Sequence, residues 1–228
     1  MSEWDSWLEQ FRSLGMGACN KDFLRLTKGC DVLSRILNTV EAAVELEEAA
    51  LGQEVEAARA KGGVPDHEAE WLNDRGIHLA VDVPQAVRAG LFVAALTHLE
   101  TWLSTRFNAV KPSTETRRMK QFCSKGSTLE AAKTAFKSLG IPFPADGSEW
   151  EEVMRLQKIR NAIVHRAGEV GSGDDDRDLR NAIEKTKTKG FSLKDYRIDL
   201  ETEAVEGALD AVEALMDRVI DALPDHAT

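Results

Sequence analysis

Residues 160–166, Arg-Asn-Ala-Ile-Val-His-Arg, set two guanidiniums, an amide and an imidazole around three apolar side chains. A guanidinium is permanently charged, and its fork of N–H donors matches a phosphate. An imidazole titrates at about pH 6.5, so near neutrality it can take a proton in one step and return it in the next. On a helix with about 100° between successive residues, Leu156, Ile159 and Ile163 fall within about 60° of one another and mark the core side. Relative to Leu156, Arg160 lies at about 40°, Val164 at about 80°, Gln157 at about 100°, Asn161 at about 140° and His165 at about 180°. Asn161 and His165 are therefore i, i+4 neighbours on one ridge, with Arg160 at the border of the core. A solvent-facing arc would more naturally carry Glu and Lys. This one reads as a contact surface, and a symmetric dimer is the simplest way to cover it. Two copies meeting through it would bring two Arg, two Asn and two His into one cleft, with donors for a phosphate, one imidazole as base and the other as acid.

The elements around this segment must hold it in place. Ser148, with Glu151 three residues on, reads as the capping box of the helix that carries the segment, and Gly168 closes it. Before it, Pro84 opens a helix through Val110 that is apolar on most sides, as the central helix of a bundle should be. Within that helix His98 reads as a packed histidine. Glu100 is a carboxylate in apolar surroundings that calls for a partner, for which an arginine of a neighbouring helix is the natural choice. A long helix is expected from Lys21 to Ala60, stopped by Lys-Gly-Gly-Val-Pro, and a second arm begins near Asp66. Residues 2–14 form a short amphipathic helix with Trp4, Trp7, Leu8 and Phe11 on one side, and a last amphipathic helix runs from Thr202 to Leu223. Gly-Ser-Gly-Asp-Asp-Asp at 171–176 reads as a mobile acidic turn, and 191–200 as an extended stretch without partners for a sheet. The expected fold class is all-α: a helical bundle over 20–228 with a long first helix, and an N-terminal helical appendage over 1–19.

Composition narrows the function classes. Hydrophobic residues make up 43 %, charged ones 30 % and aromatic ones 6 %, a mix that suits helices better than a β-sandwich. Cys19, Cys30 and Cys123 are far apart and form no Cys-x-x-Cys pair, so neither a disulfide framework nor a thiolate zinc site is expected, and reduced thiols are. His67-Glu68 lacks the second histidine of a zinc-protease helix, Trp71 standing in its place, and no metal or cofactor is expected. The longest apolar run is about eight residues against roughly 20 for a membrane span, and the first residues lack a secretory pattern, so a cytoplasmic protein is expected. The net charge of −10 opposes nucleic acid as a total, yet it is unevenly spread. Residues 1–82 and 199–228 each sum to −8, whereas 83–198 sum to +6. Residues 106–137 hold eight basic side chains and two acidic ones, and Arg106, Lys111, Arg117, Arg118 and Lys120, with Arg166, are the candidate contacts for RNA phosphate.

Arg-Asn-Ala-Ile-Val-His, an Arg and a His separated by four residues near the end of a bundle helix that follows an apolar central helix, resembles the R-x(4–6)-H motif of the HEPN superfamily. The resemblance covers residues 84–223 and, by inference, the long first helix. It implies a helical bundle that dimerises through the motif-bearing helix. It also implies a metal-independent endoribonuclease of toxin–antitoxin, phage-defence or RNA-processing systems. Carried onto this chain, it makes Arg160 the group that binds the scissile phosphate, and Asn161 the one that orients it or the imidazole. His165 of both subunits would deprotonate the ribose 2′-OH and protonate the leaving 5′-oxygen, giving a 2′,3′-cyclic phosphate. Glu100 would support Arg160. The branch of the family silenced by adenylylation carries a tyrosine two residues after the histidine; Ala167 stands there, so that regulation is not implied. Two other readings stay open: a non-catalytic dimeric binding or scaffold subunit of a defence complex, and an acidic, antitoxin-like partner of a basic protein. A cognate antitoxin or defence-complex protein is a further expected partner.

Overall fold

The computed structural model describes residues 29–60, 65–110, 128–138 and 140–222. The N-terminal appendage, Phe23 and Leu26 of the first helix, and Lys111, Arg117, Arg118 and Lys120 lie outside the described residues. The chain is all-α, with one small hairpin among the described residues. Its order is α1 (Gly29–Ala60), α2 (Asp66–Ile77), a π-helical turn (His78–Asp82), α3 (Val83–Val110), α4 (Thr128–Ser138), α5 (Ser148–Arg166), α6 (Asp174–Lys185), β1 (Phe191–Lys194), β2 (Arg197–Leu200) and α7 (Thr202–Ala222).

Helix α3 is the hub, packing on α1, α4, α5 and α7. Phe92, Leu96, Leu99 and Leu103 recur on one side of it and are fully buried. Val205, Leu209, Val212, Leu215, Met216 and Val219 of α7 are buried as their spacing requires, as are Cys30, Leu33, Leu37, Val40 and Val44 of α1. An aromatic chain then joins α3 to α5: Phe107 on Phe136 at 5.8 Å between centroids, Phe136 on Phe143 at 5.6 Å, and Phe143 edge-on to Trp150 at 5.2 Å. It sets the start of α5 beside the end of α3, so the two helices run antiparallel.

Four sequence expectations need correction. Pro84 does not open a separate helix, since α2 runs through the π turn into α3. A proline inside a regular helix clashes with the carbonyl four residues back. The π turn relieves this by widening the winding, and Val83 N–H donates to His78 O, five residues back. The fused helix, Glu68–Phe107, is by length and composition apolar enough to cross a membrane, although no single apolar run in it is long. Ser148 does not cap α5; Gly147 takes that position, without a side-chain bond to the helix. The triple aspartate is the first turn of α6, where acidic side chains suit the helix N-terminus.

The stretch 191–200 is a true antiparallel hairpin, Phe191 opposite Leu200 and Lys194 opposite Arg197. Its two turn residues, Asp195 and Tyr196, both have positive φ, 47° and 64°. That is the mirror-image turn a two-residue hairpin requires, usually met by Asn-Gly or Asp-Gly. A tyrosine at the second place hides the signal and costs about 1 kcal/mol. The outer edge of β2 is also satisfied. Ile198 N–H donates to Gly168 O at 3.0 Å, Val170 N–H to Tyr196 O at 2.8 Å, and the Gln85 amide bonds both Ile198 O and Leu200 N–H at 3.1 Å. Gln85 thus acts as a stub of strand, and the residues just after α5 act as another.

One buried charge locks α5 to the loop after α6. The Glu152 carboxylate, 5 % exposed, accepts from the backbone N–H of Lys187 at 3.0 Å and of Thr188 at 3.1 Å. It also accepts from the hydroxyls of Thr186 and Thr188 and from Arg155 at 3.2 Å. Burial alone would raise its pKa. The Thr186 hydroxyl and the Lys187 and Thr188 donors outweigh that and hold it below the ordinary value.

Candidate functional site

Helix α5 ends on two successive left-handed residues, Ala167 at φ 50° and Gly168 at φ 76°, whose N–H groups both return to Ala162 O. Gly168 is suited to this conformation and Ala167 is not. Ala167→Gly is therefore expected to raise stability by about 0.5–1 kcal/mol, measured by urea denaturation. The sharp stop leaves Asn161, Val164 and His165 exposed on the last two turns, while Val153, Leu156 and Ile159 are fully buried.

Arg160 is not simply at the border of the core. Its Nε is buried with no hydrogen-bond partner among the described residues, and its Nη1 donates to Asn161 Oδ1 at 3.1 Å. The structure thus brings Arg160 and Asn161 into contact, with His165 one turn beyond Asn161 on the same ridge. No ion pair joins Arg160 to Glu100 among the described residues. Glu100 instead accepts from Gln157 Nε2 at 3.0 Å. The antiparallel packing explains the exchange: Gln157 is level with Glu100, and Arg160 lies one turn further, level with the part of α3 before Glu100. Gln157 is 4 % exposed and its Oε1 has no partner among the described residues, so this amide is aligned by one bond only. The helical spacing puts Gln157 in the polar arc but assigns it no role; its separation of three residues from Arg160 is the signal that the two share a face.

Beside this arc α3 presents a face without charge. Ala86, Gly90, Ala94, Thr97, Thr101 and Thr105 fall within about 100° of one another around the helix. All of them are at least partly open to solvent. The hydroxyls of Thr97, Thr101 and Thr105 each bond the carbonyl four residues back, at 2.8, 2.9 and 2.9 Å, so the side chains offer methyl groups outward. A Cβ added at Gly90 would meet nothing within 4 Å. Glu100 and Gln157 stand where this face meets α5.

The remaining candidates divide. Arg166 is held by Asp176 at 2.6 Å, and Asp176 also takes the backbone N–H groups of Gly171 and Gly173; the Arg166 guanidinium, more than the two amides, keeps that carboxyl below its ordinary pKa. Arg166 is thus engaged within the chain. Arg106 lies over the Trp102 ring, 5.5 Å from its centroid. His98 is packed, as expected: it is 5 % exposed, burial lowers its pKa, and a Cβ at Gly29 would come within 2.3 Å of its ring. Its Nε2 nonetheless lacks a bond among the described residues. Cys30 is an unpaired, buried thiol with a pKa pushed up to about 12, first by burial and then by Glu213 and Asp31. Among the described residues no three His, Cys, Asp or Glu side chains are grouped to hold a metal ion.

Fold and site define an all-α helical protein with an Arg-Asn-His ridge at the end of one bundle helix. No family model, no curated protein and no solved structure matches the chain.

Proposed function

We propose that the protein is a homodimeric, metal-independent endoribonuclease of the HEPN type, acting in the cytoplasm in a toxin–antitoxin or phage-defence setting. The observation that carries this reading is the contact of Arg160 with Asn161, with His165 one turn on along the same exposed ridge. The charge-free face of α3 beside that ridge supports the dimer, because closely packed helices require small, uncharged side chains.

In the dimer two copies of the ridge share one cleft. Arg160 binds the scissile phosphate and stabilises the negative charge that grows on its oxygens. Asn161 holds the guanidinium in place through the bond already present in the single chain. His165 of one protomer removes the 2′-OH proton as that oxygen attacks phosphorus. His165 of its partner protonates the departing 5′-oxygen, and the products are a 2′,3′-cyclic phosphate and a free 5′-OH.

The test is incubation with single-stranded and structured RNA in EDTA, with light scattering of the same sample. The expected result is a dimer that yields cyclic-phosphate ends. A dimer that leaves both RNAs intact would replace the nuclease with a non-catalytic binding subunit.

A further inference from the structure

We propose that Tyr196 is a platform on which an unpaired base of single-stranded RNA stacks, beside the Arg160–His165 ridge. The inference rests on the reading of α5 as the RNA-processing helix and adds a binding residue that the motif does not contain. Tyr196 is the single tyrosine of the chain and is 77 % exposed at the tip of the hairpin. Its φ of 64° lies where glycine fits without strain, so a bulky residue there is an outlier from which a role can be inferred.

Position links the ring to α5. Tyr196 O accepts from Val170 N–H, Ile198 N–H donates to Gly168 O, and Glu169 bridges Arg197. The hairpin is therefore stitched by its backbone to Gly168–Val170, the run that begins with the second residue of the left-handed stop of the Arg160–His165 helix. Beneath it, Phe191 packs edge-on against Phe92 at 5.4 Å, so the hairpin rests on the hub helix.

The chemistry favours a base over a protein partner. Exposed patches that mark protein contacts run to several hundred Å², whereas this hairpin exposes one ring and part of Leu193, set among charges. Those charges are compensated, Lys194 by Asp199 and Arg197 by Glu169 at 3.4 Å, with Asp195 beside them. The tip offers a π face rather than a cationic field. It thus suits stacking, which every base supports, and leaves phosphate to Arg160.

The experiment measures anisotropy of an end-labelled single-stranded RNA of about 12 nucleotides. It uses full-length protein carrying His165→Ala, so that the RNA stays whole. Tyr196→Phe should bind within about twofold of the tyrosine form, and Tyr196→Gly about tenfold more weakly. The Tyr196→Gly hairpin should meanwhile resist urea better, because the strain is gone. An abasic strand of equal length should bind the tyrosine protein more weakly than the normal strand, and the glycine variant should no longer tell the two apart. Equal affinity of the tyrosine and glycine forms overturns the stacking role and leaves the ring to some protein contact, while the nuclease reading stands. If the unsubstituted chain neither binds nor cuts RNA, both fall.

Discussion

Glu152→Ala is expected to lower the unfolding free energy by about 3 kcal/mol, which for a chain of this size moves Tm by roughly 6–12 °C. The size follows from what the carboxylate leaves behind. Two backbone N–H groups, two threonine hydroxyls and a guanidinium all point at Glu152, and alanine satisfies none of them. Glu152→Gln should cost less, because its carbonyl can still accept from part of the set. The same contacts set the acid limit of the fold. Glu152, Glu41 beside Arg88, and Asp176 beside Arg166 all have folded pKa values below their unfolded ones. Their stabilisation is complete above the unfolded values, about 4, and is lost as pH falls through the lower folded values. Thermal unfolding followed from pH 7 to pH 3 should show Tm steady at first and then falling steeply. Glu152→Ala should flatten that fall.

The second large effect concerns the ridge. His165→Ala is expected to reduce RNA cleavage by at least about 10²-fold, since an acid–base imidazole supplies about 10²–10⁴ and the dimer loses both of its histidines at once. Arg160→Ala should be comparable, and Arg160→Lys nearly as damaging, because a single ammonium cannot bond Asn161 and a phosphate in the same fork geometry. His165 is exposed and Asn161 is Arg160's partner rather than a core residue, so His165→Ala and Asn161→Ala should keep the wild-type Tm. Product analysis by gel and by cyclic-phosphate-specific end repair separates loss of chemistry from loss of fold. Cleavage undiminished in His165→Ala would remove the imidazole from the mechanism.

Periodicity carried much of the architecture because burial and spacing coincide in α1, α3 and α7. Cys30, Leu33 and Leu37, or Leu209, Val212 and Val219, are buried for the reason their positions announce. What stayed hidden depends on contacts distant in sequence. Glu152 looks like one more acid near the start of its helix until Thr186–Thr188, more than thirty residues later, fold over it. The hairpin was missed because Asp195-Tyr196 does not look like a turn. Asp174–Asp176 looked like a flexible run because like charges repel, yet Asp176 has Arg166 and two glycine N–H groups to neutralise it. At the site the ridge was legible from spacing alone. The exchange of Arg160 for Gln157 as the partner of Glu100 was not, because it depends on how two antiparallel helices align.

The wide turn at His78–Asp82 has a mechanical meaning for everything before it. It holds one residue beyond regular winding, and the wider turn absorbs that residue, so α2 is spared the swing of about 100° that an extra residue in a regular helix would cause. Arg75 thereby keeps Glu47 and Glu54 at 3.6 and 3.1 Å, and Gly76 keeps its place opposite Leu51. A surplus residue at this spot is taken up locally rather than passed along the helix, so the face that α2 turns toward α1 is protected by the one stretch of slack between α2 and α3.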